Sequence, residues 1–170
     1  ISISKAISQK SITVIKDDKS LLPVKTRNIL AISPKPTIIT GVEDSDRKTQ
    51  SLAEKLGDKL SCEFSTMDLN PGDDYIERIV QKAKDKELII VGTYNANLNE
   101  GQCKLVNELY KYNENIIVVA LRNPYDISAF KQIPTYICTY EYTPLSIDSL
   151  INVLVNEVQP LGKAPVTIEA

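Results

Sequence analysis

Apolar residues fall along this chain in two rhythms: short unbroken runs, and stretches in which they recur every three or four positions. The unbroken runs are 29–32 (ILAI), 88–91 (LIIV) and 116–121 (IIVVAL). Runs without polar alternation and rich in β-branched residues read as strands buried on both faces, as the middle of a parallel sheet requires. The run at 116–121 is placed at the centre of the sheet. A β-branched stretch at 12–15, a loosely alternating one at 62–67 and the segment 135–140 add three more strands, with 62–67 nearer an edge.

Helical spacing lies between the runs. Leu52, Ala53, Leu56 and Leu60 form one stripe, with Asp46 as its expected N-cap and Gly57 inside it. Ile76, Ile79, Val80 and Ala83 form a second after the turn Asn70-Pro71-Gly72-Asp73. Cys103, Val106, Leu109 and Tyr110 form a third over 102–112. Ile147, Leu150, Ile151, Leu154, Val155 and Val158 form the last, with Ser146 as its expected cap and Gln159-Pro160 as its end. Residues 1–10 add a short opening helix, and Thr37-Ile38-Ile39-Thr40 is an apolar piece of open type. Alternating strands and helices predict an α/β three-layer α/β/α sandwich with a mainly parallel sheet. The 170 residues suit one domain, with 1–27 as entry segment and 159–170 as closing tail.

Composition removes several function classes. Twenty basic against 22 acidic residues leave a net charge of −2 and no basic run, so nucleic acid is not expected as a partner. The apolar runs are too short for a membrane span. There is no histidine, so neither a Ser-His-Asp nor a Cys-His arrangement can form within the chain. Cys62, Cys103 and Cys138 are unpaired in number and widely spaced, which predicts no metal site. Free thiols favour a cytoplasmic over a secreted setting. The first residue is Ile and the opening has no signal-like pattern, so a fragment or processed chain is expected. Neither GxGxxG nor GxxxxGK[ST] occurs, and no cofactor is expected.

The polar residues that follow the two most buried runs carry the candidate chemistry. In open α/β sheets, ligands are met beyond the carboxyl ends of the strands. The loop 93–101 supplies Tyr94, Asn95, Asn97 and Glu100; the loop after 116–121 supplies Arg122, Asn123, Tyr125 and Asp126. If the strands are neighbours, these loops face each other. Amides, phenols, a guanidinium and carboxylates together suit either a sugar surface or a polar interdomain contact. Asp126 could instead cap a short helix at 127–130 and pair with Arg122. Glu100, beside Gly101, could swing to a glycosidic oxygen as a general acid, or stand as the first-turn acid of the next helix.

Three stretches together resemble the C-terminal domain of glycoside hydrolase family 3. Residues 6–24 (AISQKSITVIKDDKSLLPV) are similar to its entry segment, and 119–126 (VALRNPYD) to the central strand and loop of the β-N-acetylglucosaminidase branch. Residues 161–168 (LGKAPVTI) are similar to the family's closing tail, with Ala164 where Leu is usual. The resemblance implies a (β/α)8 barrel partner carrying the nucleophilic Asp, and a carbohydrate substrate. In the acetylglucosaminidase branch a His-Asp dyad on a barrel loop is the acid/base; in the β-glucosidase branch a Glu of the sandwich domain serves. Glu100 lies in roughly the region of that Glu, but without its acidic cluster and Asp-Arg pair.

Overall fold

A computed structural model describes residues 3–36 and 49–169. The elements run α1 (Ile3–Ser11), β1 (Thr13–Asp17), β2 (Ile29–Pro34), α2 (Leu52–Leu60), β3 (Glu63–Met67), α3 (Asp73–Ala83), β4 (Leu88–Thr93), α4 (Glu100–Tyr112), β5 (Ile116–Ala120), β6 (Thr135–Cys138) and α5 (Pro144–Leu154). Two 3-10 turns, Ala96–Leu98 and Pro124–Ala129, lie at the carboxyl ends of β4 and β5. The six strands form one sheet in the order β1-β6-β5-β4-β2-β3. Every pairing is parallel except β1 with β6.

The apolar runs behave as their composition requires. Every residue of β2, β4, β5 and β6 is buried, and successive side chains feed opposite cores. Ile89, Val91, Ile116 and Val118 pack with the stripes of α3 and α4. Ile90, Ile117 and Val119 pack with α2 and α5 on the other face. This is the predicted three-layer α/β/α sandwich. β3 is an edge strand, exposed at Glu63 and Phe64, as its loose alternation predicts.

The boundaries differ from expectation where several cap candidates crowd together. α2 is capped by Ser51, whose hydroxyl accepts from the Glu54 N–H while the Glu54 carboxylate accepts from the Ser51 N–H. Asp46 and the Thr37–Thr40 piece lie outside the described residues. α5 is capped by Thr143, not Ser146, because Pro144 fits the first helical position and leaves the preceding hydroxyl to close the turn. α5 ends at Leu154, before Val155 and Val158, and Asn156 takes a left-handed conformation with φ of 64°.

The chain direction fixes where the tail lies. β1 runs antiparallel to β6, so Thr13 sits opposite Cys138 at the carboxyl end of β6. The tail returns there, with the Gly162 N–H donating to the Ile12 carbonyl at 3.1 Å. A Cβ on Gly162 would collide with the Thr13 hydroxyl and the Ser11 carbonyl, so the close approach needs glycine. No helix among the described residues is long and apolar enough to cross a membrane.

Candidate functional site

β4 and β5 are adjacent parallel strands, with Thr93 opposite Ala120, so the loops that leave them meet at one edge of the sheet. β4 also pairs with β2, and because the connections from β2 and β4 run to opposite sides, the topological switch point of the sheet lies between those two strands, beside the loop after β4.

The loop after β4 is held by its own amides. Asn95 is left-handed, with φ of 48°, a conformation Asn tolerates better than most residues. The Asn99 side chain donates to the Asn95 carbonyl at 2.9 Å. Gln102, fully buried in the first turn of α4, accepts from the Tyr94 N–H at 2.9 Å and donates to the Tyr94 and Leu69 carbonyls at 3.1 and 2.6 Å. Gln102 thereby ties the end of β4 to the loop before α3. The sequence marks Gln102 only as the start of a helix, and its one local signal is a Gln just inside that helix after an Asn-rich loop.

Arg122 and Tyr94 bring the two loops together. The Arg122 Nη1 donates to the Tyr94 hydroxyl at 2.6 Å, and its guanidinium carbon lies 5.7 Å from the ring centroid. Tyr94 is 7% exposed, so its ring is a buried backing for an exposed guanidinium. Tyr142, 6.4 Å from Tyr94 between centroids, donates to the Pro34 carbonyl at 2.6 Å. The contacts therefore run across the edge from β2 to the loop after β5. Among the described residues Arg122 makes no ion pair, so the expected Arg122–Asp126 pair is corrected to an Arg122–Tyr94 contact.

The turn at 124–129 is capped by Asn123, whose side-chain oxygen accepts from the Tyr125 N–H at 3.0 Å. This corrects Asp126 as a cap: Pro124 again fits the first helical position and gives the cap to the residue before it. The Asn123 amide also donates to the Asn97 side-chain oxygen at 3.1 Å, joining the two turns. Asn97 and Tyr125 are exposed, Tyr125 by 48%.

Asp126 points inward and is 0% exposed. Its Oδ2 accepts from the Thr93 hydroxyl at 2.9 Å, while Oδ1 has no hydrogen-bond partner. Burial raises its pKa above the usual aspartate value; the Thr93 hydroxyl and the backbone N–H groups of Ala96 and Asn97 pull the other way.

Glu100 is exposed at the first position of α4. The N–H of Gly101 donates to the Asn70 side chain at 2.7 Å, and a Cβ on Gly101 would collide with the Pro71 carbonyl. Gly101 thus serves a close approach between α4 and the loop before α3.

The match to known families follows this architecture. Residues 12–170 match the family model described as the glycosyl hydrolase family 3 C-terminal domain. The chain belongs to that family. Among solved structures, this domain is similar to a fungal multi-domain GH3 β-N-acetylglucosaminidase, with 25% identity and a TM-score of 0.79, over 96% of this chain and 18% of that one. A GH3 β-N-acetylglucosaminidase from Paenibacillus sp. str. FPU-7 gives 22% identity and a TM-score of 0.79, over 96% and 32% of the two chains. The β-glucosidase D2-BGL from Chaetomella raphigera gives 18% identity and a TM-score of 0.68, over 97% and 29%. The domain thus spans about a fifth to a third of the length of these structures. No curated protein matches the chain.

Proposed function

We propose that this is the accessory sandwich domain of a retaining β-N-acetylhexosaminidase whose nucleophile and acid/base lie on a (β/α)8 barrel, its edge of Tyr94, Asn95, Asn97, Arg122, Asn123 and Tyr125 bordering the barrel and its sugar site. The observation that carries this reading is the disposition of the carboxylates at that edge. Retaining hydrolysis needs two carboxyl roles about 5–5.5 Å apart. Asp126 is sealed inside, and Glu100 begins a helix whose next residue is hydrogen-bonded to Asn70. The domain offers amides, a phenol and a guanidinium to a partner, and the acid and nucleophile come from that partner. The higher TM-scores to the two β-N-acetylglucosaminidases than to the β-glucosidase support the choice of branch.

The test is hydrolysis of aryl β-N-acetylglucosaminide and aryl β-glucoside by this chain and by the longest form its gene encodes. The expected result is an inactive chain beside a longer form that prefers the N-acetylglucosaminide. Preference for the glucoside would move the domain to the β-glucosidase branch, where Glu100 is the candidate acid. Turnover by this chain alone would overturn the accessory role.

A further inference from the structure

Among the described residues, Asp126 is the one buried side chain that carries a formal charge, and its Oδ1 is the one buried side-chain polar atom without a partner. A carboxylate enclosed with one oxygen unpartnered is held against a large desolvation cost. Its place decides what it does there. The Thr93 hydroxyl, at the last position of β4, fixes Oδ2. The N–H groups of Ala96 and Asn97, which act on the carboxylate, open the 3-10 turn, where no carbonyl of the turn itself can accept from them. Asp126 belongs to the other turn, Pro124–Ala129. A negative charge on Asp126 therefore draws the Ala96–Leu98 turn towards the Pro124–Ala129 turn, and a neutral acid does not.

We propose that Asp126 is a positioning residue whose ionised carboxylate sets the two turns against each other, so that the Asn97–Asn123 contact at the surface depends on the charge beneath it. The remaining titratable groups acting through this interior are Cys103 from α4 and Tyr136 and Cys138 from β6. No cation among the described residues acts on Asp126, so its own proton is the control. The link from this clamp to substrate rests on the function proposed above; the clamp itself does not.

The test is an amide-resolved NMR titration of this chain. The Ala96 and Asn97 amide protons and the Asn123 side-chain amide should shift together on acidification, with one midpoint above the ordinary aspartate value of 3.8. Thr93→Val removes the hydroxyl that favours the charged form and should move that midpoint upward. Asp126→Asn should abolish the response, and Thr93→Val carries the test if that variant does not fold. Flat Ala96 and Asn97 signals in the wild type, or a midpoint unmoved by Thr93→Val, would overturn the proposal. In an active longer form, Asp126→Asn should raise KM several-fold with little change in kcat. A normal titration with KM unchanged would leave the clamp standing and remove the sugar-bordering role of these loops.

Discussion

Phe64 lies directly over Gly57: a Cβ built on the glycine would collide with ring atom Cδ1 and stand 3.0 Å from Cε1. An edge strand thus packs an aromatic ring on the bare backbone of α2, although Phe64 is 44% exposed. Gly to Ala in a helix interior ordinarily stabilises by about 1 kcal/mol. Here the added methyl forces the ring aside, and overpacking costs roughly 1–3 kcal/mol. Gly57→Ala is therefore expected to be neutral or destabilising in the wild type, and stabilising by about 1 kcal/mol in a Phe64→Ala background. Urea unfolding of the four-member cycle checks this, and equal effects in both backgrounds would refute the contact.

Asp17 organises the turn after β1 more tightly than a charged tip suggests. Its Oδ1 accepts from the Leu21 N–H at 2.8 Å and the Thr135 hydroxyl at 2.7 Å, and its Oδ2 accepts from the Leu22 N–H at 3.2 Å. Asp17→Ala would strand three donors and is expected to cost about 2–3 kcal/mol, and Asp17→Asn, which keeps one acceptor, about 1 kcal/mol. A fall in the urea midpoint at unchanged slope is the readout.

What the chain disclosed at the level of sequence follows from the range of each interaction. The unbroken runs of β4 and β5 announce strands buried on both faces, because that signal needs no knowledge of partners, whereas the meeting of their loops follows only once the sheet order makes the strands neighbours. Caps are harder, since Ser51 competes with Asp46, Thr143 with Ser146, and Asn123 with Asp126. All three have local signals: Ser51 with Glu54 is a capping-box pair, and Pro144 and Pro124 point back to Thr143 and Asn123. The contacts that shape the site were not legible. Gln102 reaches Leu69, Arg122 reaches Tyr94 and Tyr142 reaches Pro34, pairs that only the strand order brings together.

Glu63 at the edge holds two lysines, Lys86 at 2.8 Å and Lys82 at 2.9 Å. Hydrogen bonds from Lys86, then Lys82, lower its pKa below the reference value of 4.5. Because the folded value lies below the unfolded one, this contribution is complete above about pH 4.5 and is lost as pH falls through the lowered value. The carboxylate is 38% exposed, so solvent screens the pair and the effect is small. Glu63→Gln should lower stability slightly at pH 7 and leave it unchanged once the carboxyl is protonated, which flattens the acid limb of the stability–pH curve by that small amount. Identical acid limbs would exclude the pairing.

The three thiols should differ in reactivity although none is in a disulfide. Burial pushes the Cys138 thiol up to about 12, and burial also raises Cys62 and Cys103. Since the thiolate is the reactive form, Cys138 is expected to react with an aromatic disulfide reagent at pH 8 only on unfolding. Cys62 and Cys103 should react more slowly than a free thiol. Three fast equivalents in the folded chain would contradict the burial of Cys138.

Glu100 separates the two branches of the family by its response to one substitution. As the first residue of α4 its charge favours the helix start, a contribution of about 0.3–1 kcal/mol that Gln forfeits without touching chemistry. A general acid contributes far more, about 10²–10⁴-fold, and chiefly where the leaving group is poor. On the function proposed above, Glu100→Gln in the longest active form is therefore expected to retain hydrolysis of alkyl and sugar β-N-acetylglucosaminides within about twofold, far inside the range expected of a lost acid. A loss confined to poor leaving groups, with nitrophenyl substrates spared, would identify Glu100 as the proton donor. The barrel would then supply only the nucleophile.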